Sequence, residues 1–162
     1  MNNLVALSFT LNGEEKSIEV PTSLTLGDLL RENFGLRGTN ISCSRGACGA
    51  CSVIIDGNPI ASCYTFAFEI EGADVRSIEG LEAKDGTLDP VQEAFAELSS
   101  FQCGFCTSGM IMLSRALLDE DLDPSEDTIK EWISSNICRC TGYAMIIEAV
   151  QLAAQKMKEA KI

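Results

Sequence analysis

With 162 residues, 46% of them hydrophobic, the chain is long enough for one domain or two small ones with real cores. Asp and Glu number 24 against 12 Lys and Arg, and the net charge of −12 argues against nucleic acid or an anionic membrane surface as partner. No histidine is present, which excludes Rieske-type ligation, Cys/His zinc fingers and a Cys–His nucleophile pair. The N-terminus, Met1-Asn2-Asn3-Leu4, lacks the basic region and apolar run of a signal peptide, and no stretch has the length of a membrane span. A cytoplasmic location is therefore expected, and there eight cysteines point to metal binding rather than to a disulfide framework.

In chain order, Val5, Leu7, Phe9 and Leu11 alternate with Ala6, Ser8 and Thr10, which predicts a strand. Asn12-Gly13 then signals a hairpin, and Ile18 and Val20 continue the alternation on the return. Thr25 with Asp28 resembles a capping box, and Leu26, Leu29 and Leu30 follow at helical spacing until Gly35 offers a stop. Ser52-Val53-Ile54-Ile55 runs into a second turn signal, Asp56-Gly57, and Ile60-Ala61-Ser62 returns the chain to Cys63. A sheet crossed by one helix, with a metal loop on its rim, is the expected picture of this part.

That loop is Cys43 to Cys51, closed by Cys63. The spacing C-x4-C-x2-C-x11-C is the plant-type ferredoxin arrangement for one [2Fe-2S] cluster on four thiolates. Three sulfurs from one loop must converge, and Gly46 and Gly49 can take positive φ and turn backbone N–H groups toward the cluster. Cys48 and Cys51 alone would read as a redox C-x-x-C or half a zinc site; four cysteines at this spacing reverse that preference.

Between Gly72 and Gly86 the composition shifts to Glu, Asp, Gly and Ala, and the strand signal fades after Val75 to Ile78. A boundary near Gly80 divides the chain into residues 1–79 and 80–162. Asp89-Pro90 predicts an N-cap and first helical position, with Val91, Ala94, Phe95 and Leu98 on one face. Thr107 can cap a second helix, apolar from Gly109 to Leu118 except for Ser114 and Arg115, and hence central and largely buried. Asp123-Pro124 opens a third, with Ile129, Trp132, Ile133 and Ile137 as its stripe. Thr141 starts a fourth, with Ile146, Ala149, Val150, Ala153 and Met157 inward and Glu148, Gln151, Gln155 and Lys158 outward. Four amphipathic helices of about 10 to 17 residues suit a compact bundle, with Trp132 and the methionines as core.

The remaining cysteines sit at matching helix junctions, Cys103 and Cys106 before the second helix and Cys138 and Cys140 before the fourth. Two loops at one end of a bundle can bring C-x2-C and C-x-C together as a second metal centre, facing the free N–H groups of the helices that follow. Zinc is the structural alternative, although C-x-C is awkward for a tetrahedral zinc knuckle.

At these motifs the chain resembles the iron–sulfur subunit, or N-terminal iron–sulfur region, of molybdenum hydroxylases of the xanthine dehydrogenase and aldehyde oxidase type. Gly38-Thr39, Cys43 through Cys51, Asp56-Gly57 and Ser62-Cys63 match the family's first cluster motif. Gln102-Cys103-Gly104-Phe105-Cys106-Thr107 and Asn136-Ile137-Cys138-Arg139-Cys140-Thr141-Gly142-Tyr143 match its second. The resemblance implies an α+β chain: a ferredoxin-like β-grasp domain, then a four-helix bundle, each with one [2Fe-2S] cluster. It also implies a molybdopterin-binding large subunit and often an FAD-binding medium subunit as partners. Cys103, Cys106, Cys138 and Cys140 would hold the cluster beside the molybdenum cofactor, and Cys43, Cys48, Cys51 and Cys63 the one on the flavin side. Gln102 corresponds to a glutamine that hydrogen-bonds the pterin, and Arg139 stands where it can tune potential or meet the partner. Asn40 departs from a common lysine, Ser42 from a glycine before the first ligand, and Ser108 from a proline after Cys-Thr. None of these removes a ligand.

The chain carries no phosphate-binding glycine loop and no dinucleotide fingerprint, which agrees with an electron-transfer part rather than a substrate-binding one. A free-standing two-cluster ferredoxin and a zinc-stabilised interaction module are the competing classes. A subunit, unlike a free carrier, should expose an apolar patch around the second cysteine set.

Overall fold

The computed structural model describes residues 3–160. Strand β1 (Leu4–Leu11) turns through Asn12-Gly13 into antiparallel β2 (Glu14–Pro21), with Leu11 opposite Glu14. Both turn residues are left-handed, φ 52° and 80°, the geometry whose twist matches a two-residue hairpin. Leu7, Phe9 and Leu11 point into the core, as their alternation predicts.

The Thr25 hydroxyl oxygen accepts the Asp28 N–H at 3.1 Å and caps α1 (Leu26–Asp28). The helix runs on as a π turn over Leu29–Asn33 and ends before Gly35. Leu26, Leu29 and Leu30 are fully buried and share one core with Leu7, Phe9 and Val53.

The second hairpin joins β3 (Ser52–Ile55) to β4 (Asn58–Ala61) through Asp56-Gly57. Strand β5 (Asp74–Arg76) lies between β1, to which it is parallel, and β3, to which it is antiparallel. The mixed sheet has five strands in the order β2-β1-β5-β3-β4. The strand signal of Val75 to Ile78 stops at Arg76, and Ile78–Gly80 forms a 3-10 turn.

Four helices follow: α2 (Pro90–Glu97), α3 (Thr107–Glu120), α4 (Glu126–Ile133) and α5 (Ala144–Ala160). With the N-terminal sheet they make the fold α+β. Asp89 caps α2 as predicted, accepting the Val91 N–H at 2.9 Å. The other three starts differ from expectation. Cys106, not Thr107, takes the cap position of α3. Ser125, not Asp123, caps α4 by accepting the Thr128 N–H at 3.1 Å. Helix α5 begins at Ala144, because Thr141 spends its hydroxyl on the cysteine loop.

Helices α2 and α4, at 8 residues each, are shorter than the periodicity suggests. Ser99 turns left-handed, φ 49°, just past α2. The Ser134 and Ser135 hydroxyls donate to the Glu131 and Trp132 carbonyls at 2.6 and 2.8 Å, and so occupy acceptors that another turn of α4 would use. Ile137 therefore lies beyond the helix and is 59% exposed instead of joining the stripe.

The helices share a second core that includes Phe95, Met110, Met112, Leu117, Ile129 and Val150, with Trp132 half-buried at its edge. The inward face predicted for α5 is the buried one. Strand β3 serves both cores, since Val53 faces α1 and Ile54 joins the helices. Arg115, bonded to Asp89 and Asp119, and Arg76, bonded to Asp119 at 2.8 Å, tie α3 to β5 and to the start of α2. Among the described residues no helix is long and apolar enough to cross a membrane.

Candidate metal centres

The first loop is held at its entrance by Arg31, whose guanidinium donates to the Arg37 and Thr39 carbonyls at 2.8 Å each. Gly46 takes φ 72°, which turns its N–H onto the Cys63 sulfur at 3.4 Å. The Ala47 N–H reaches the Cys43 sulfur at 3.3 Å. The β3–β4 hairpin delivers Cys63 as predicted: the Ser62 hydroxyl donates to the Cys51 carbonyl at 2.8 Å, and the Cys63 N–H faces the Cys51 sulfur at 3.4 Å.

The second set forms where the loop before α3 meets the loop between α4 and α5. The Cys140 and Cys103 sulfurs lie 3.7 Å apart, both exposed, while Cys138 is buried and Cys106 half-buried. All eight cysteines are free thiols. Within each set the thiols act on one another's ionisation: on top of burial, Cys51 and Cys43 raise Cys63, and Cys138 and Cys103 raise Cys106. Among the described residues no three thiol or acidic side chains come together as a site for a single metal ion. Thiols that act on one another, with N–H groups turned onto them, fit a two-iron cluster that takes thiolates on each iron.

The loops set the thiols apart electrostatically. The Arg45 N–H, helped by those of Ala47 and Cys48, brings Cys43 down to about 6. Burial pushes Cys63 up to about 11 and Cys106 up to about 12. Burial also opposes ionisation of Cys138, but the Thr141 hydroxyl and N–H, the Cys140 N–H and the Cys106 thiol together outweigh it and the thiol falls below its usual range. The neighbouring Cys103 sulfur raises Cys140. Binding a metal at the raised thiols must displace their protons.

The two sets are linked directly. The Ile137 N–H, one residue before Cys138, donates to the Cys48 carbonyl at 2.9 Å. Two glycines permit the approach: a β-carbon on Gly49 would lie 2.6 Å from the Ser135 carbonyl, and one on Gly109 2.3 Å from the Gly49 carbonyl. Asn136 is fully buried at this contact, its amide donating to the Cys106 carbonyl at 3.4 Å. Asn40 adds a further link through a 3.0 Å bond to the Phe105 carbonyl. The Ser108 hydroxyl and Asn136 Oδ1 are buried without a partner among the described residues.

Gln102 and Arg139 are exposed beside the second set. Around them Phe101, Phe105 and Ile137 are 43%, 48% and 59% exposed, an apolar rim of the kind expected of a subunit. Asn136 and Tyr143 belong to the motif legible in the sequence, which gives them no role of their own and predicts Thr141 as a helix start. The cue available was Gly142, which marks a left-handed turn straight after C-x-C.

Residues 9–77 match the 2Fe-2S iron-sulfur cluster binding domain and residues 77–151 the [2Fe-2S] binding domain. The nicotinate dehydrogenase small FeS subunit of Eubacterium barkeri is 42% identical over 154 residues, 95% of this chain and 98% of that protein. A probable xanthine dehydrogenase subunit of Bacillus subtilis (strain 168) is 44% identical over 140 residues, 86% of this chain and 80% of that protein. Quinoline 2-oxidoreductase from Pseudomonas putida 86 superposes with a TM-score of 0.91 at 40% identity, over 98% of this chain and 99% of that one. With both halves matched, and relatives of this identity covered over most of their length, the chain belongs to the family of small iron–sulfur, electron-transferring subunits of molybdenum hydroxylases of the xanthine dehydrogenase and aldehyde oxidase type.

Proposed function

We propose that this chain, in the cytoplasm, relays electrons from a molybdopterin centre in a large partner subunit to FAD in a medium partner subunit or to another acceptor. Cys103, Cys106, Cys138 and Cys140 would hold the entry cluster, and Cys43, Cys48, Cys51 and Cys63 the exit cluster. When bound, each [2Fe-2S] cluster supplies a one-electron store whose potential the surrounding protein adjusts. The observation that carries the proposal is the joining of the two cysteine sets by the Ile137 N–H to Cys48 carbonyl bond. It gives an electron a short, mostly covalent path from one set to the other.

Two further features support the direction. Cys103 and Cys140 are exposed inside the apolar rim, where a partner can cover them, and Gln102 stands on the same rim, where it would bond the pterin. Arg139 would meet the same partner. Residues 1–79 form a β-grasp domain in this proposal and residues 80–162 a four-helix bundle. Support comes from their separate cores, one around Phe9 and Leu29 and the other around Phe95 and Met112. Residues 1–2 and 161–162 lie outside the described residues.

The test is to tag the chain in its native host, isolate it gently, and determine copurifying polypeptides with molybdenum, flavin, iron and sulfide content. Molybdenum with a large partner is expected. Iron and sulfide on a solitary chain would make it a free two-cluster carrier and overturn the proposal.

A further inference from the structure

Cys138 is enclosed by hydrogen bonds that the other cysteines lack. Its backbone N–H donates to the Tyr143 hydroxyl at 2.8 Å, and that hydroxyl donates on to the Asn136 carbonyl at 3.2 Å. On its other side the Thr141 Oγ1 lies 3.1 Å from the Cys138 sulfur and accepts the Tyr143 N–H at 3.3 Å. Among the described residues no other cysteine sulfur has a side-chain hydroxyl within hydrogen-bond reach.

A cysteine bound to metal is a thiolate with no proton to give, so in the loaded protein Thr141 must be the donor of this pair. The Tyr143 N–H occupies one lone pair of the Thr141 oxygen and leaves its O–H free to point at sulfur. The arrangement needs both Gly142 and Tyr143 left-handed, φ 68° and 69°, a conformation uncommon for a tyrosine. Two hydrogen bonds at the Tyr143 hydroxyl and one at its N–H hold it there.

We propose that Thr141, held in place by Tyr143, is a positioning residue that raises the reduction potential of the second cluster by donating its hydroxyl hydrogen bond to the Cys138 sulfur. A donor to a ligand sulfur stabilises the extra negative charge of the reduced state. It acts on the inward ligand, one residue from the Ile137 N–H that bonds to Cys48, so it favours holding the electron next to the first set. The proposal rests on Cys138 being a ligand of the second cluster.

The experiment is an EPR-monitored redox titration of the complex isolated through this chain, as wild type, Thr141→Val and Thr141→Ser. Valine keeps the shape of threonine without the hydroxyl, and serine keeps the hydroxyl. The expected result is a fall of about tenfold in the reduction equilibrium constant of the second cluster in the valine variant, about 59 mV for one electron. Serine should stay at the wild-type value, and the first cluster should not move in either. An unmoved second cluster in Thr141→Val overturns the proposal. If valine prevents loading of the second cluster, the titration is read in Tyr143→Phe, which removes the two bonds at the tyrosine hydroxyl: a lowered second-cluster potential supports the proposal and an unmoved one overturns it. A Cys138→Ser control that left the second signal intact would overturn the ligand assignment and this proposal with it; an unmoved valine titration beside a normal control overturns this proposal alone.

Discussion

Gly109 is buried on α3, and its backbone lies against the first cysteine loop. A β-carbon there would meet the Gly49 carbonyl at 2.3 Å, the Asn136 amide at 2.7 Å and the Ala50 carbonyl at 3.0 Å. Two of these are backbone atoms and cannot rotate aside. An ordinary carbon contact is about 3.5 Å, so Gly109→Ala must drive helix and loop apart by about 1 Å. On an exposed helix the same change would stabilise by about 1 kcal/mol, because alanine is the better helix former. Here overpacking of roughly 1–3 kcal/mol opposes it, and the rigid partners put the case at or beyond the upper end. A net loss of about 2 kcal/mol corresponds to a fall of about 4–8 °C in Tm for a chain of this size. Thermal melts of the isolated complex, followed by bleaching of the visible cluster absorption, would measure it. Freeze-quench EPR should also show the first cluster filling later than in wild type, because the Ile137 to Cys48 bond is stretched. A Tm equal to or above wild type would refute the close approach of α3 to the first loop.

Cys51→Ser should abolish one cluster's EPR signal and Cys138→Ser the other, each leaving its counterpart visible; loss of one shared signal in both variants would refute two separate centres. Asp89→Ala removes the cap of α2 and the 3.0 Å partner of Arg115, whose side chain is only 17% exposed. The expected cost is about 2 kcal/mol in urea denaturation, with Asp89→Asn recovering the capping part, and equal losses in the two variants would refute the cap. In the cluster-free chain Cys43, ionising at about 6, should be alkylated by iodoacetamide at a rate that rises through that pH and is flat above it. Cys63 and Cys106, raised to about 11 and about 12, should still be accelerating in strong base. Mass-spectrometric mapping of the label against pH checks both, and a Cys43 rate still climbing in mild alkali would refute the N–H effect.

Much of this was legible in the residues. Asn12-Gly13 and Asp56-Gly57 each mark a hairpin because asparagine, aspartate and glycine accept the left-handed turn at little cost, and both hairpins form there. Asp89-Pro90 marks the start of α2 through its own first turn. Cys43, Cys48 and Cys51 were legible because one loop carries all three, whereas Cys103 and Cys140 meet only through the tertiary fold. Less legible were the starts of α3, α4 and α5, where more than one polar residue could cap and the tertiary partners chose. Thr141 illustrates this: its composition suits a helix cap, but the Cys138 sulfur and the Tyr143 N–H hold its hydroxyl in the loop. Ile137 has the right period for the α4 stripe, yet its N–H is taken by Cys48 and its side chain is left outside.

By itself the sequence determined the two hairpins, the capped first helix, the amphipathic faces and a first cysteine set whose spacing is that of plant-type ferredoxins. Such features depend on φ, ψ and hydrogen bonds within a few residues of one another. Only the tertiary structure decided that β5 inserts between β1 and β3, that Gly49 and Gly109 meet backbone to backbone, and that Ile137 joins the second set to Cys48. These contacts unite segments far apart in the chain, brought together as the two cores pack on opposite sides of β3, Val53 in one and Ile54 in the other.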